Sequence, residues 1–264
     1  TDGSGIDDVV GVRKIIDDFA AHHGGPAPQL HVDAAVGWVQ CFLTEYDLDR
    51  NPLDFSPRVL ELVGRAQQQS KGMQLADSVT IDFHKMGWGH YPGSAFLVNR
   101  RSDLRYLSRS VEEMPYFSEA DGRRDPALFT LECSRPALGP YTVMASLNGI
   151  GLTGWQLLVA RSLELADVLK ERLEEIEYCK VLNMATTGPS VLWWVLPRGR
   201  DAKRIHQQVM DGEHRALPSV AAWGSPAMLT VAPVTKLVPV MVTKVPAVVV
   251  GCPEGLRAEM VGRP

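Results

Sequence analysis

An α/β fold is predicted by three features of this chain. Short apolar strands alternate with helix-like segments over residues 9–106. After Arg135 the pattern changes to one long apolar helical stretch, followed by further strands and a helix. At 264 residues and 45% apolar side chains, the chain can also bury a substantial core. Helix and strand in repeated alternation place the strands in a mainly parallel sheet with helices on its faces. The change of character divides the chain into a sheet domain over 1–162, including the start of a linking helix, and a small α+β domain over 163–264.

Each element has a local cause. Val9, Val12, Ile16 and Phe19 recur at helical spacing, Asp7 and Asp8 sit at the positive helix end, and Gly24-Gly25-Pro26 stops the helix. Leu30 to Val32 reads as a short buried strand with Asp33 at its carboxyl end. Ser56-Pro57 has the form of an N-cap and first helical residue, ahead of the apolar face Val59, Leu60, Leu62 and Val63. Val79, Ile81 and Phe83 alternate with polar residues at the period of a strand. Ala95 to Val98 is a third strand, and Ser102-Asp103 caps a short helix through Tyr106. Pro140 to Ile176 is helical in period, with interruptions expected around Gly149-Ile150-Gly151 and Gly154. Cys179 to Asn183 and Val191 to Leu196 are strands, and Asp201 to Met210 is a helix. The apolar run from Leu237 to Val250 reads as β structure, being broken by Pro239, Lys244 and Pro246 and shorter than the ~20 residues that span a bilayer.

Charge and composition exclude some partners. A formal net charge of −4, with lysine and arginine scattered, gives no footprint for nucleic acid. The polar opening Thr1 to Gly5 has no signal-peptide character, and the expectation is a soluble, cytoplasmic protein without membrane partners. Cys41, Cys133, Cys179 and Cys252 lie far apart without metal-ligand spacing and are expected to be reduced thiols.

Two segments carry the chemistry: His31-Val32-Asp33-Ala34-Ala35, and Asp77 through Ile81-Asp82-Phe83-His84-Lys85. An aspartate ending one strand and a lysine just after another is the arrangement pyridoxal 5'-phosphate requires. The amine takes the cofactor aldehyde as a Schiff base, and the carboxylate holds a proton on the pyridine nitrogen. In parallel sheets, ligands collect beyond the carboxyl ends of strands. A lysine used in this way must lose its proton, which burial beside a cationic group encourages. Each residue has an ordinary alternative. Asp33 would be a strand-end cap, Ala35 plain packing, Lys85 a surface lysine and His84 a hydrogen-bonded core histidine.

Further matches occur in order along the chain: Thr1-Asp2-Gly3-Ser4-Gly5-Ile6-Asp7, Ala76-Asp77-Ser78, Ser94-Ala95 and Leu131-Glu132-Cys133-Ser134-Arg135. With the two segments above, they resemble the C-terminal portion of the group II pyridoxal-phosphate-dependent amino-acid decarboxylases, the fold-type-I family of glutamate and aromatic-amino-acid decarboxylases. The resemblance implies that Lys85 is the Schiff-base lysine and Asp33 the partner of the pyridinium nitrogen. It implies that Ala35 lies against one ring face and that His84 lies near the cofactor phosphate or the substrate carboxylate. Arg135 becomes a candidate for the active-site arginine that binds substrate. A homodimer acting on an L-amino acid is also implied.

Three departures from the family pattern stand out. The chain starts within the family's large domain, so the upstream half that supplies most phosphate ligands and a ring-stacking aromatic is missing. His22 and His23 cannot stand in, because both lie on the helix before Asp33. Residues 43–73 contain an added loop and helix, read either as shaping access to the site or as a surface or dimer-contact insertion. The family's mobile-loop tyrosine, which protonates the carbanion after CO2 leaves, has no equivalent just before Arg135, and Tyr116 is the nearest candidate. The expected activity is pyridoxal-phosphate-dependent decarboxylation of an L-amino acid, with a fragment needing its upstream half as one form of that reading. The alternatives are another carbon–carbon lyase or aldehyde synthase of the same cofactor class, or a non-catalytic chain that completes an active subunit.

Overall fold

Two three-stranded sheets organise the residues described by the computed structural model, which are 5–108, 136–195, 201–211 and 227–230. The first is formed by β1 (His31–Asp33), β2 (Ser78–Asp82) and β3 (Ser94–Val98), in that order. β1 and β2 are parallel, with His31 opposite Ser78 and Asp33 opposite Thr80. β3 is antiparallel to β2, with Asp82 opposite Ser94. A wholly parallel arrangement of these three strands is therefore not what forms. A parallel return needs a crossover of about a dozen residues or more, usually a helix, and residues 83–93 only turn the chain back.

Helix α1 (Val9–His23) begins where the acidic pair places it. The Asp8 carboxylate accepts the Gly11 amide at 3.0 Å, and Gly24 ends the helix in the left-handed conformation at φ 69°. None of its residues is buried. The carboxylate of Asp77 gathers the start of the sheet: it accepts the Leu30 amide at 2.8 Å and Arg13 from α1 at 3.3 Å. Arg100 approaches its other oxygen at 3.7 Å.

α2 (Pro57–Ser70) starts at Ser56, whose hydroxyl accepts the Val59 amide, with Pro57 in the first turn. It buries Val59, Leu62, Val63 and Ala66. Before it, Tyr46 donates its hydroxyl to Asn51 Oδ1 at 2.6 Å, and Asn51 in turn accepts the Phe55 amide at 2.9 Å. α3 (Leu138–Glu174) is one helical run with a break at Gly151, whose φ of 66° and ψ of 170° are not helical. By length and composition alone α3 could cross a membrane, but its second half buries Trp155, Val159, Ala160, Leu163 and Ala166, as a core helix does. Beyond it, β4 (Cys179–Val181), β5 (Ser190–Val195) and β6 (Ala227–Thr230) form an antiparallel sheet, with α4 (Ala202–Met210) between β5 and β6. Ala166, Val181 and Val191 form a core cluster there, with Leu169, Leu173 and Trp193 against it.

The chain folds as two compact units, one of Asp8–Trp38 with Gly72–Gly149, the other of Thr1–Asp7, Val39–Lys71 and the chain from Ile150. The second is discontinuous because Val39–Lys71 shares a core with the later part of α3. The Phe42 ring stacks on Trp155 at 4.8 Å, and Gln156 donates to the Phe42 carbonyl at 3.1 Å. Among the described residues Cys41 and Cys179 are in no disulfide. The expected strand from Leu237 to Val250 lies outside the described residues.

Candidate functional site

Parallel pairing brings the two chemically distinctive segments to one end of the first sheet. Asp33 closes β1, and the chain leaves the strand with the Ala34 amide donating to the Thr80 carbonyl at 2.9 Å. The Asp33 carboxylate accepts the Ala35 amide at 3.1 Å, a turn that fixes both residues at the strand end. β2 runs two residues past Thr80 to Asp82, and Lys85 follows in the turn, its amide donating to the Asp82 carbonyl at 3.2 Å.

The turn is held tightly. Trp38 donates its indole N–H to the Asp82 carbonyl at 3.2 Å, and its ring meets Phe83 edge-on. Gly87 sits where a Cβ would fall 2.5 Å from the Phe83 carbonyl oxygen and 2.8 Å from Trp38, so no larger residue fits without displacement. Ser146 donates to the Gly87 carbonyl at 3.0 Å. These contacts leave the Lys85 side chain 37% exposed at the end of a fixed backbone.

Asp82 is the residue that sequence reasoning missed. Its Oδ2 lies 2.7 Å from Lys85 Nζ, and its Oδ1 accepts the Ser94 hydroxyl at 2.5 Å. Burial opposes its ionisation, yet the hydrogen bonds from Lys85 and Ser94 and the lysine charge outweigh burial and hold the carboxyl below its ordinary value. The hydrogen bond to Asp82 likewise outweighs burial at Lys85, and the charges of Asp82 and Asp33 add to it, so the ammonium is held above its ordinary value. The partner is an anion, because Asp82 ends the strand three residues before Lys85 and the turn folds the amine back onto it. The i, i+3 spacing was a readable signal; the register partner Ser94 was not, because it depends on the direction of β3.

Asp33, Ala35, His84 and Lys85 thus lie in one unit, and the influence of Asp33 reaches the Lys85 amine. His84 is drawn into the loop. Its Nδ1 lies 3.0 Å from the Gly93 carbonyl oxygen and 3.2 Å from the Gly93 amide, and its ring contacts Tyr91 at 3.8 Å. Its Nε2 is 3.8 Å from Asp82 Oδ2. Tyr116 and Arg135 lie outside the described residues.

No family profile matches the chain. Curated proteins do. A probable L-aspartate decarboxylase of Archaeoglobus fulgidus is 26% identical over 204 residues, covering 77% of this chain and 44% of that protein. The L-aspartate/L-glutamate decarboxylase of Pyrococcus horikoshii is 29% identical over 177 residues, covering 67% and 39%. The probable L-aspartate decarboxylase of Pyrococcus furiosus is 30% identical over 176 residues, covering 66% and 40%. The chain therefore spans about two fifths of the length of these relatives, and the resemblance is to the C-terminal portion of the amino-acid decarboxylases. Among solved structures, tryptophan decarboxylase of Catharanthus roseus aligns with a TM-score of 0.52 at 15% identity, covering 80% of this chain and 39% of that one. A sphingosine-1-phosphate lyase of Burkholderia pseudomallei aligns at 0.51 with 16% identity, covering 86% and 44%. These likenesses show a shared α/β fold.

Proposed function

We propose that this chain carries part of the active site of a pyridoxal-phosphate-dependent L-amino-acid decarboxylase. The observation that carries the reading is the parallel pairing of β1 and β2, which puts Asp33 at the end of one strand and Lys85 in the turn after the same end of the other. The donor set fits the cofactor: a carboxylate for a protonated ring nitrogen, a primary amine for an aldehyde, and at Ala35 a methyl-sized side chain that leaves room for a flat ring. Bound there, pyridoxal phosphate supplies the electron sink for a breaking Cα–carboxylate bond.

The roles of the residues follow from their chemistry. Asp33, its carboxylate fixed at the strand end by the Ala35 amide, would keep a proton at the ring nitrogen. Lys85 would hold the cofactor through its amine. Ala35 packs against one ring face. His84, already oriented by Gly93 and Tyr91, lies beside the phosphate or the substrate carboxylate. Arg135 binds substrate, and Tyr116 donates the proton that ends the reaction at Cα. By orienting the carboxylate bond and excluding water, these groups would lower the barrier chiefly through positioning.

The relatives' names favour an acidic amino acid, aspartate first, as substrate. The finer organisation we propose is a mainly parallel large-domain sheet over 1–162, joined to a small α+β domain over 163–264. The antiparallel β4–β5–β6 sheet with α4 supports the second part. A homodimer in the cytoplasm, completed by an upstream half, belongs to the same proposal. The exposed apolar residues Val10, Ile15 and Phe19 of α1 support covering by further polypeptide.

Titration with pyridoxal phosphate tests the reading. A visible absorbance band should appear in the wild type and vanish in Lys85→Ala. Absence of the band, even with the completing half supplied, would end the cofactor reading and leave the non-catalytic partner chain. Amine and CO2 from L-aspartate are the expected products. Aldehyde with ammonia would point to an aldehyde synthase instead.

A further inference from the structure

Lys85 is the nucleophile of the proposed site, yet it is held as an ammonium by a carboxylate of its own segment. Asp82 is not a passing surface partner. Its side chain is 14% exposed, Ser94 engages the oxygen that Lys85 does not, and its backbone carbonyl is fixed by Trp38. A carboxylate braced in this way has little rotational freedom to lose on pairing, unlike the exposed pairs that contribute nearly nothing. The charged and titratable groups facing the pair, among the described residues, are Asp33 from the end of β1 and His84 and Tyr91 from the loop after β2.

We propose that Asp82 is a positioning residue for Lys85, a latch braced by Ser94 that fixes the amine at the strand ends in its protonated form until a carbonyl ligand claims it. Release moves one proton off Nζ to water, while the Asp82 carboxylate, 2.7 Å away, stays ionised. The latch would keep the amine from reacting with adventitious aldehydes while holding it in reach of the intended one. This use of the pair rests on the cofactor reading above, but the pair can be tested without cofactor.

The test is competitive acetylation of the full chain by trace acetic anhydride from pH 7 to about 11, read lysine by lysine by mass spectrometry. The neutral amine attacks the anhydride carbonyl, an N–C bond forms, acetate leaves and the amine proton passes to water. Lys14 on α1 is the internal reference. In Asp82→Asn the labelling midpoint of Lys85 should move to lower pH, with about threefold faster labelling at pH 8, which corresponds to roughly half a pH unit. Ser94→Ala should move it the same way by less, and Lys14 should not respond. If the Asn variant fails to fold by circular dichroism, Ser94→Ala decides alone. An unmoved midpoint overturns the proposal, and so does a rate increase by one factor at every pH, which would mean mere loosening. A moved midpoint in a chain that forms no absorbance band, even with the completing half supplied, would leave the latch standing and remove the cofactor reading instead.

Discussion

The two units of this protein treat a lysine in opposite ways. In the unit that holds the first sheet, Lys85 is partly exposed and faces two carboxylates, and its charged form is favoured. In the other, Lys170 is buried on α3 and donates to the Thr186 carbonyl at 2.6 Å. Burial pushes Lys170 below its ordinary value, with the charge of Asp167 only partly opposing it. The same contrast runs through their apolar residues. Leu43, Val63, Trp155, Leu163, Val181 and Val191 are almost wholly buried in the second unit, whereas α1 of the first buries nothing and Phe96 and Leu97 of β3 are exposed. One region spends its sequence on packing, the other on displaying charged groups at a sheet end.

The largest expected effect lies in the packed region. Trp155→Ala removes the ring stacked on Phe42 and should cost about 3–5 kcal/mol in denaturant unfolding. A loss below about 1 kcal/mol would show that this core does not hold its unit together. Next is Asp33→Asn, which keeps the shape of the strand end but cannot balance a ring proton. We expect at least about tenfold weaker decarboxylation, roughly 1.4 kcal/mol in the barrier, with folding intact. Equal activity would separate Asp33 from the chemistry.

Alkaline titration should then divide the two lysines by sign. Lys85 has a raised folded value, so its contribution is fully present below its ordinary value of 10.5 and is lost as pH climbs through the folded value. Discounted for exposure, it amounts to about 1 kcal/mol or less. Lys170 is lowered, so the unfolded chain binds more protons and stability rises as pH approaches 10.5. Asp82→Asn should flatten the first trend and Lys170→Met the second, both read from unfolding at stepped pH. The smallest effect is expected at Phe19→Ala on α1, within about 0.5 kcal/mol, because the ring is 51% exposed. A cost above about 2 kcal/mol would mean that this face is covered in solution.

Much of this was legible in the sequence where local chemistry decides. Asp8 and Gly24 bound α1, Ser56-Pro57 opens α2, and the period-2 run at Val79 gives β2 within a residue. The direction of β3 was not legible, because alternation says that a strand forms but not which way it runs; the short loop after β2 decides that. Glycines 149 to 154 announced an interruption in α3, and the break falls at Gly151. At the candidate site, Asp33 and Lys85 were singled out because their residue types imply a shared chemistry. Asp82 was passed over as one polar position in a strand. Its role arises only when the turn closes on it and β3 returns Ser94 opposite.

The carboxylate of Asp77 has a consequence at a distance. By tying the start of β1 to α1 and to the head of β2, it acts as an alignment pin for two strands whose far ends lead to Asp33 and Lys85. A slip of one residue there would turn Asp33 to the opposite side of the sheet, since side chains alternate along a strand. The placement of Asp33 is thus set partly at the opposite end of the sheet, and damage at Asp77 would be felt as a misplaced carboxylate beyond Val32.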